Sequence, residues 1–255
     1  MQIFLDIGNS FVKIARLHNG KLEGGLRVPS IDFVKNPIKY LDNYYSSDSK
    51  LYIASVAKES SNLILFEKLT EGGFIYENIK VRQEFNGFKT LYNPVTLGVD
   101  RWLACLAAHR TYQQDVVVID AGTAITIDIV TSNGIHLGGY IIPGMASLGQ
   151  TIKLSTGLCF DDSTLKTVNS IPTNTNDALV LGNWAMISGF FRKIEETIIS
   201  NNNMSISSDK LSWILTGGDY EKVGEHLRPP FCVNQQLVLE GALIVSGKLT
   251  EQHHS

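Results

Sequence analysis

Clustered positive charge is missing from this chain. Its 22 Lys and Arg are set against 25 Asp and Glu, for a formal net charge of −3. No stretch gathers enough cation to follow a phosphate backbone, so no nucleic acid partner is expected. Cysteine is scarce too. Cys105, Cys159 and Cys232 are far apart and each lies among apolar neighbours. They read as reduced, largely buried thiols, with no disulfide framework and no cysteine metal site. No apolar run approaches the ~20 residues that a membrane-crossing helix needs, so no membrane partner is expected. Asp6 interrupts the apolar stretch that a secretory signal would require. The cytoplasm is the expected compartment.

What the chain does have is a repeated turn. Asp6-Ile7-Gly8-Asn9-Ser10 follows the apolar run Ile3-Phe4-Leu5, and Asp120-Ala121-Gly122-Thr123-Ala124 follows Val116-Val117-Val118-Ile119. A strand that ends in a glycine turn can present backbone N–H groups to phosphate oxygens. The carboxylate beside it repels phosphate, but it can hold a cation that the phosphates need. The surroundings repeat as well. Strands are predicted at Gln2–Leu5, Val12–Leu17 and Leu22–Val28, with Asn19-Gly20 as a hairpin turn, and again at Val116–Ile119, Ala124–Val130 and Ile135–Ile142. Strand Leu51–Ala54 and a helix at Asn62–Leu69 complete the first half. Helical spacing predicts a linking helix over Val99–His109 and a long one over Asn176–Ile198. Asn201–Asp209 reads as loop, Leu211–Leu215 as strand and Gln236–Ser246 as a last helix. At 255 residues the chain has room for two such domains, at 1–112 and 113–255.

Four segments can carry chemistry, and each has a plainer reading: a structural hairpin for Asp6–Lys13, a strand face for Thr126 and Asp128, a loop for Thr216–Asp219 and a helix cap for Asp100. Asp6–Lys13 offers a turn, two polar side chains and a cation; it lacks the Gly-Lys-Ser/Thr ending of a Walker loop and the glycines of a Rossmann turn. Asp120–Asp128 adds the hydroxyls of Thr123 and Thr126, although Thr126 and Asp128 read as well as residues lining a strand face. Thr216-Gly217-Gly218-Asp219 is a third glycine turn after a strand, where ligands gather in open α/β sheets. Tyr92-Asn93-Pro94 with Gly98-Val99-Asp100-Arg101 is the fourth. There Asp100 either caps a helix or accepts a proton from a substrate hydroxyl while Arg101 holds an anion.

Taken together, the four segments resemble the type III pantothenate kinases of the acetate and sugar kinase/Hsp70/actin superfamily. The resemblance covers nearly the whole chain. It implies an α/β fold of duplicated ribonuclease H-like (actin-like ATPase) domains, each a mixed sheet flanked by helices. It implies ATP-dependent phosphorylation of pantothenate, the first step of coenzyme A biosynthesis. On this resemblance Asp6, Ile7, Gly8, Asn9, Ser10, Phe11, Val12, Lys13 and Thr123 contact ATP, used with Mg²⁺, and Asp120 holds a monovalent cation, K⁺ or NH₄⁺. Tyr92, Gly98, Val99, Asp100 and Arg101 bind pantothenate, with Asp100 as proton acceptor. Thr175 touches the pantothenate of the partner subunit in a homodimer. Leu215–Asp219 and Leu239-Glu240-Gly241 resemble the adenosine segment. Ser10 stands where the family usually has Thr, and Ile125 where Thr is frequent. Three other readings stay open: another small-molecule kinase of the superfamily, a slow ATP-hydrolysing protein of the Hsp70/actin kind, and a transcription accessory factor of the same fold.

Overall fold

The computed structural model describes residues 1–42, 44–46, 48–158, 171–200, 206 and 211–247. Cys159 and nearly all of the loop expected at Asn201–Asp209 lie outside the described residues. The elements run β1 (Gln2–Ile7), β2 (Phe11–His18), β3 (Lys21–Pro29), α1 (Ser30–Lys35), α2 (Pro37–Leu41), β4 (Lys50–Ser55), α3 (Glu59–Glu71), β5 (Tyr76–Asn78), β6 (Glu84–Phe85), β7 (Phe88–Thr90) and α4 (Val99–Tyr112). There follow β8 (Val116–Ala121), β9 (Ala124–Val130), β10 (Ile135–Pro143), α5 (Met145–Thr156), α6 (Thr175–Ser200), β11 (Ser212–Thr216), α7 (Tyr220–Gly224), β12 (Phe231–Val233) and α8 (Leu237–Val245). Two compact units result: Met1–Gln113 with Ser132–Gly138 and the chain from Gln236 onward, and Gln114–Thr131 with Gly139–Gln235. Each is a mixed sheet flanked by helices.

The first unit has the sheet order β3-β2-β1-β4-β5, antiparallel within β1–β3 and parallel from β1 through β4 to β5. Asn19 and Gly20 both have positive φ (50° and 76°), which a two-residue type I′ hairpin requires. Alternation then places Ile3, Leu5 and Ile7 against Phe33 of α1 and Leu65 and Leu69 of α3. Each such side chain contributes about 1.5–3 kcal/mol by leaving water. The other face carries Phe4, stacked on Tyr52 at 5.3 Å. α8 packs on β1 and β4, and α4 on α8. A Cβ on Gly241 would collide with the carbonyl of Leu103, so glycine there permits the close α4–α8 crossing. At the sheet's edge, β3 meets β2 with a register shift at Ile14/Ala15, opposite Gly24, whose φ is +108°.

The second unit repeats this order. Its strands run β10-β9-β8-β11-β12, with β8–β9 antiparallel and β8–β11–β12 parallel; β10 counts with it from Gly139 onward, and its start, Ile135–Gly138, counts with the first unit, where it pairs with β7. α6 buries Val180, Trp184, Ile187, Phe191, Ile194 and Ile198 at alternating spacings of four and three, the stripe of a helix packed along one face. Phe190 lies at the margin of that stripe, beside Tyr140 at 5.8 Å. One thiol differs from expectation. Cys105 is buried in α4, but Cys232 is exposed, because the short strand β12 ends the sheet and leaves its residues uncovered.

Candidate active site

In the first unit, the turn between β1 and β2 is a tight hairpin. The Gly8 N–H donates to the Phe11 carbonyl at 3.0 Å, so that amide closes the turn instead of facing outward. The Ser30 hydroxyl donates to the Gly8 carbonyl at 2.7 Å, and the Ser30 N–H to the Ser10 carbonyl at 2.9 Å. The start of α1 thus fixes the turn from the protein side, while Asn9 and Ser10 are exposed. Asp6 and Lys13 face each other across the β1–β2 ladder, and Ile7 and Val12 are buried. Phe11 is exposed, with the Arg27 guanidinium 3.8 Å above its ring.

Val56 joins this turn to the start of α4. Its N–H donates to the Ile7 carbonyl at 3.0 Å, and its side chain lies 3.7 Å from where a Gly98 Cβ would be. Gly98 is the N-cap of α4 and a Cβ there would fall 2.5 Å from Asp100 Oδ1. The glycine therefore leaves the carboxylate its place in the first turn, where Oδ1 accepts the Arg101 N–H at 2.8 Å. Arg101 is buried, with its guanidinium 5.2 Å over the Tyr92 ring. A cavity of about 440 Å³ opens beside these residues, lined by Ser55, Val56, Lys80, Leu97, Gly98 and Val99 among others.

In the second unit, three glycine turns meet. The Gly122 N–H closes its own turn on the Ala124 carbonyl, and the Gly144 N–H and the Ser147 hydroxyl both donate to the Thr123 carbonyl, at 3.0 and 2.6 Å. Gly217 has φ +95°, and a Cβ on it would strike the backbone of Ala121 and come within 2.5 Å of Asp120 Oδ1. The Asp219 N–H donates to the Ala121 carbonyl at 2.9 Å. Asp120 faces Thr126 across the β8–β9 ladder, the counterpart of Asp6 and Lys13. Next to this cluster is a cavity of about 590 Å³ lined by Ile125, Met145, Gly149, Lys153, Trp184, Asp219 and Lys222 among others. Trp184 stacks on His226 at 4.2 Å, and Ser188 Oγ bonds His226 Nδ1 at 2.9 Å. Burial pushes the His226 pKa down, opposed by the nearby Glu225 carboxylate.

The donors fit the groups expected. Asp6 and Asp120 offer carboxylate oxygens, the hard ligands that Mg²⁺ and K⁺ take, and the crowded Gly217 leaves no side chain between Asp120 and its turn. Asp128 is buried, in line with its reading as a strand-lining residue. Thr175 is exposed at the first turn of α6, where Asn174 accepts the Asp177 N–H at 3.0 Å and caps the helix. Gly241 belongs to the first unit and serves the α4–α8 crossing.

The profile of the type III pantothenate kinases matches residues 2–198. The chain belongs to that family. Among curated relatives named type III pantothenate kinase, that of Colwellia psychrerythraea is 34% identical over 86% of this chain and 85% of its own, and that of Pseudoalteromonas atlantica is 30% identical over 94% and 95%. A solved Campylobacter jejuni structure, described as a Baf family transcriptional activator, superposes with a TM-score of 0.61 at 25% identity, over 97% of this chain and all of that one. The ethanolamine utilization protein EutJ of Carboxydothermus hydrogenoformans, at 12% identity and a TM-score of 0.50 over 94% and 87%, shares the fold.

Sequence reasoning missed Ser30, Ser147 and Val56. The only signal for the two serines was position, each a short way beyond the third strand of its repeat; for Val56 there was none.

Proposed function

We propose that this protein transfers the γ-phosphoryl group of ATP to the primary alcohol of pantothenate, giving 4′-phosphopantothenate. The observation that carries this reading is the start of α4, where Gly98 makes room for the Asp100 carboxylate beside a cavity and Arg101 lies over Tyr92. Asp100 orients the alcohol and takes its proton, while Arg101 and Tyr92 hold the acceptor carboxylate. Phosphoryl transfer asks little covalent chemistry of the protein, so alignment by Asp100 matters more than its basicity. Asp6–Lys13 and Thr123 contact ATP, and the kinase family brings a divalent cation. That cation neutralises charge on the phosphates. Asp120 holds K⁺ or NH₄⁺, which relieves repulsion between its carboxylate and the phosphates. The working form is a homodimer in the cytoplasm, with Thr175 reaching the neighbour's acceptor.

The deciding experiment is ADP release with and without pantothenate. Release that depends on pantothenate is expected. Release on another acceptor, or none, would replace this reading with a different kinase or with a regulatory protein, a reading to which the Campylobacter jejuni neighbour's description lends its one support.

A further inference from the structure

Two polar side chains that no motif singles out, Thr90 and His136, are fully buried in the first unit. Polar groups are kept in such places when their hydrogen bonds are made. β7 and β10 pair in parallel there, His136 opposite Thr90. Thr90 Oγ1 and His136 Nδ1 are 2.8 Å apart, and the same Oγ1 accepts the Tyr92 N–H at 3.0 Å. The His136 carbonyl accepts the Leu91 N–H at 2.9 Å. The rings line up as well. His136 is nearly parallel to Phe88 on one count (11°, 6.5 Å) and to Tyr92 on the other (4°, 6.3 Å). Tyr92 in turn carries the Arg101 guanidinium at 5.2 Å.

We infer that Thr90 and His136 are positioning residues that hold Tyr92, and through it Arg101, in the geometry that receives the acceptor's carboxylate. The inference rests on the reading of Tyr92 and Arg101 given above. A histidine suits position 136 because it is both a flat ring for Tyr92 and a bonding partner for Thr90; no purely apolar side chain does both. A bidentate guanidinium–carboxylate contact needs the planar fork aimed in advance. If the Tyr92 ring tilts, Arg101 loses one of the surfaces that orient it, and the acceptor pays that ordering on binding. The carboxylate is remote from the transferred phosphoryl group, so its contact is equally strong before and during the reaction. Loosening it raises KM for the acceptor and leaves kcat alone.

The test is steady-state kinetics on Thr90→Val, His136→Phe, their double variant and Arg101→Gln, with both substrates varied and Tm recorded. Thr90→Val keeps shape and loses the hydroxyl, and with it the bonds to His136 and to the Tyr92 N–H; His136→Phe keeps the ring and loses the Thr90 bond together with the ring nitrogens' place beside the buried Asp128 and Cys105. Each should raise the pantothenate KM about tenfold, the size of one lost buried hydrogen bond, with kcat and the ATP KM little changed. The double variant should raise it by less than the product of the two singles, since the Thr90–His136 bond is lost in both. His136→Asn, which returns a bonding group near the Nδ1 position, should recover part of the loss. An unchanged pantothenate KM in the singles, while Arg101→Gln raises it, overturns this inference alone. So does a fall in kcat and a rise in both KM values that track a drop in Tm. An unchanged KM in Arg101→Gln overturns the anchor itself and the inference with it. Should His136→Phe not fold, the isosteric Thr90→Val decides by the same outcomes.

Discussion

The hydroxyl of Ser30 donates to the carbonyl oxygen of Gly8 across 2.7 Å. Ser147 makes a similar bond in the second unit, one residue further along the turn, to the Thr123 carbonyl at 2.6 Å. Each serine comes from the helix that follows the third strand of its repeat. Ser30→Ala should cost about 0.5–1.5 kcal/mol of stability. It should also raise the KM for ATP without moving that for pantothenate, because the loosened turn is the one assigned to phosphate. An ATP KM equal to wild type would mean that the turn holds itself.

Asp100→Asn keeps the size of the side chain and an oxygen for the Arg101 amide, so the fold should remain within about 0.5 kcal/mol of wild type. Turnover should fall by about 10²–10⁴. Retained turnover in a folded variant would remove Asp100 from the proton-transfer role.

Activity in sodium-only buffer should be well below that in potassium or ammonium. Asp120→Ala should be slow in all three, since its carboxylate is the proposed cation ligand. Equal wild-type rates in the three buffers would count against a monovalent site.

His226 gives a pH dependence of known sign. Burial lowers its pKa in the folded state, so as pH falls below about 6.5 the unfolded chain takes the proton first. The stability held above that pH is then lost as pH falls towards the folded pKa. His226→Phe keeps a ring against Trp184 and removes this share. Its Tm should therefore fall less between pH 7.5 and pH 5.5 than that of wild type. Parallel Tm curves would show that folding does not lower the His226 pKa.

For the homodimer, light scattering should report about twice the chain mass of 28.2 kDa. Thr175→Ala should raise the pantothenate KM. A fully active species of single-chain mass would refute the shared pocket.

The repeats were legible because both carry strong local signals: β-branched runs, an Asn-Gly hairpin and glycines after strands. Asn19-Gly20 sits in the predicted turn, and α6 follows its predicted stripe. The first turn of α4 was legible as a choice between cap and base, and the structure makes Gly98 the cap. What escaped was set by tertiary contact. α5 carries Gly149 and several Ser and Thr residues, poor helix formers, yet it forms where Ser147 and Gly144 bind Thr123. α1 is only six residues long, too short for a periodic signal. The pairing of Thr90 with His136 spans 46 residues, and no local pattern encodes it.

The shifted register where β2 meets β3 bears on what happens before any substrate arrives. β3 is a nine-residue strand at the end of its sheet, with Leu26 exposed. A flat strand of that length would template pairing with another copy of the chain. The shift at Ile14/Ala15 and the left-handed Gly24 bend this rim and break the regular row of donors and acceptors, so that a second molecule cannot zip along it. Removing the shift, as by deleting one residue of Gly24-Gly25, is expected to leave an unbroken edge on which another copy of the chain can pair.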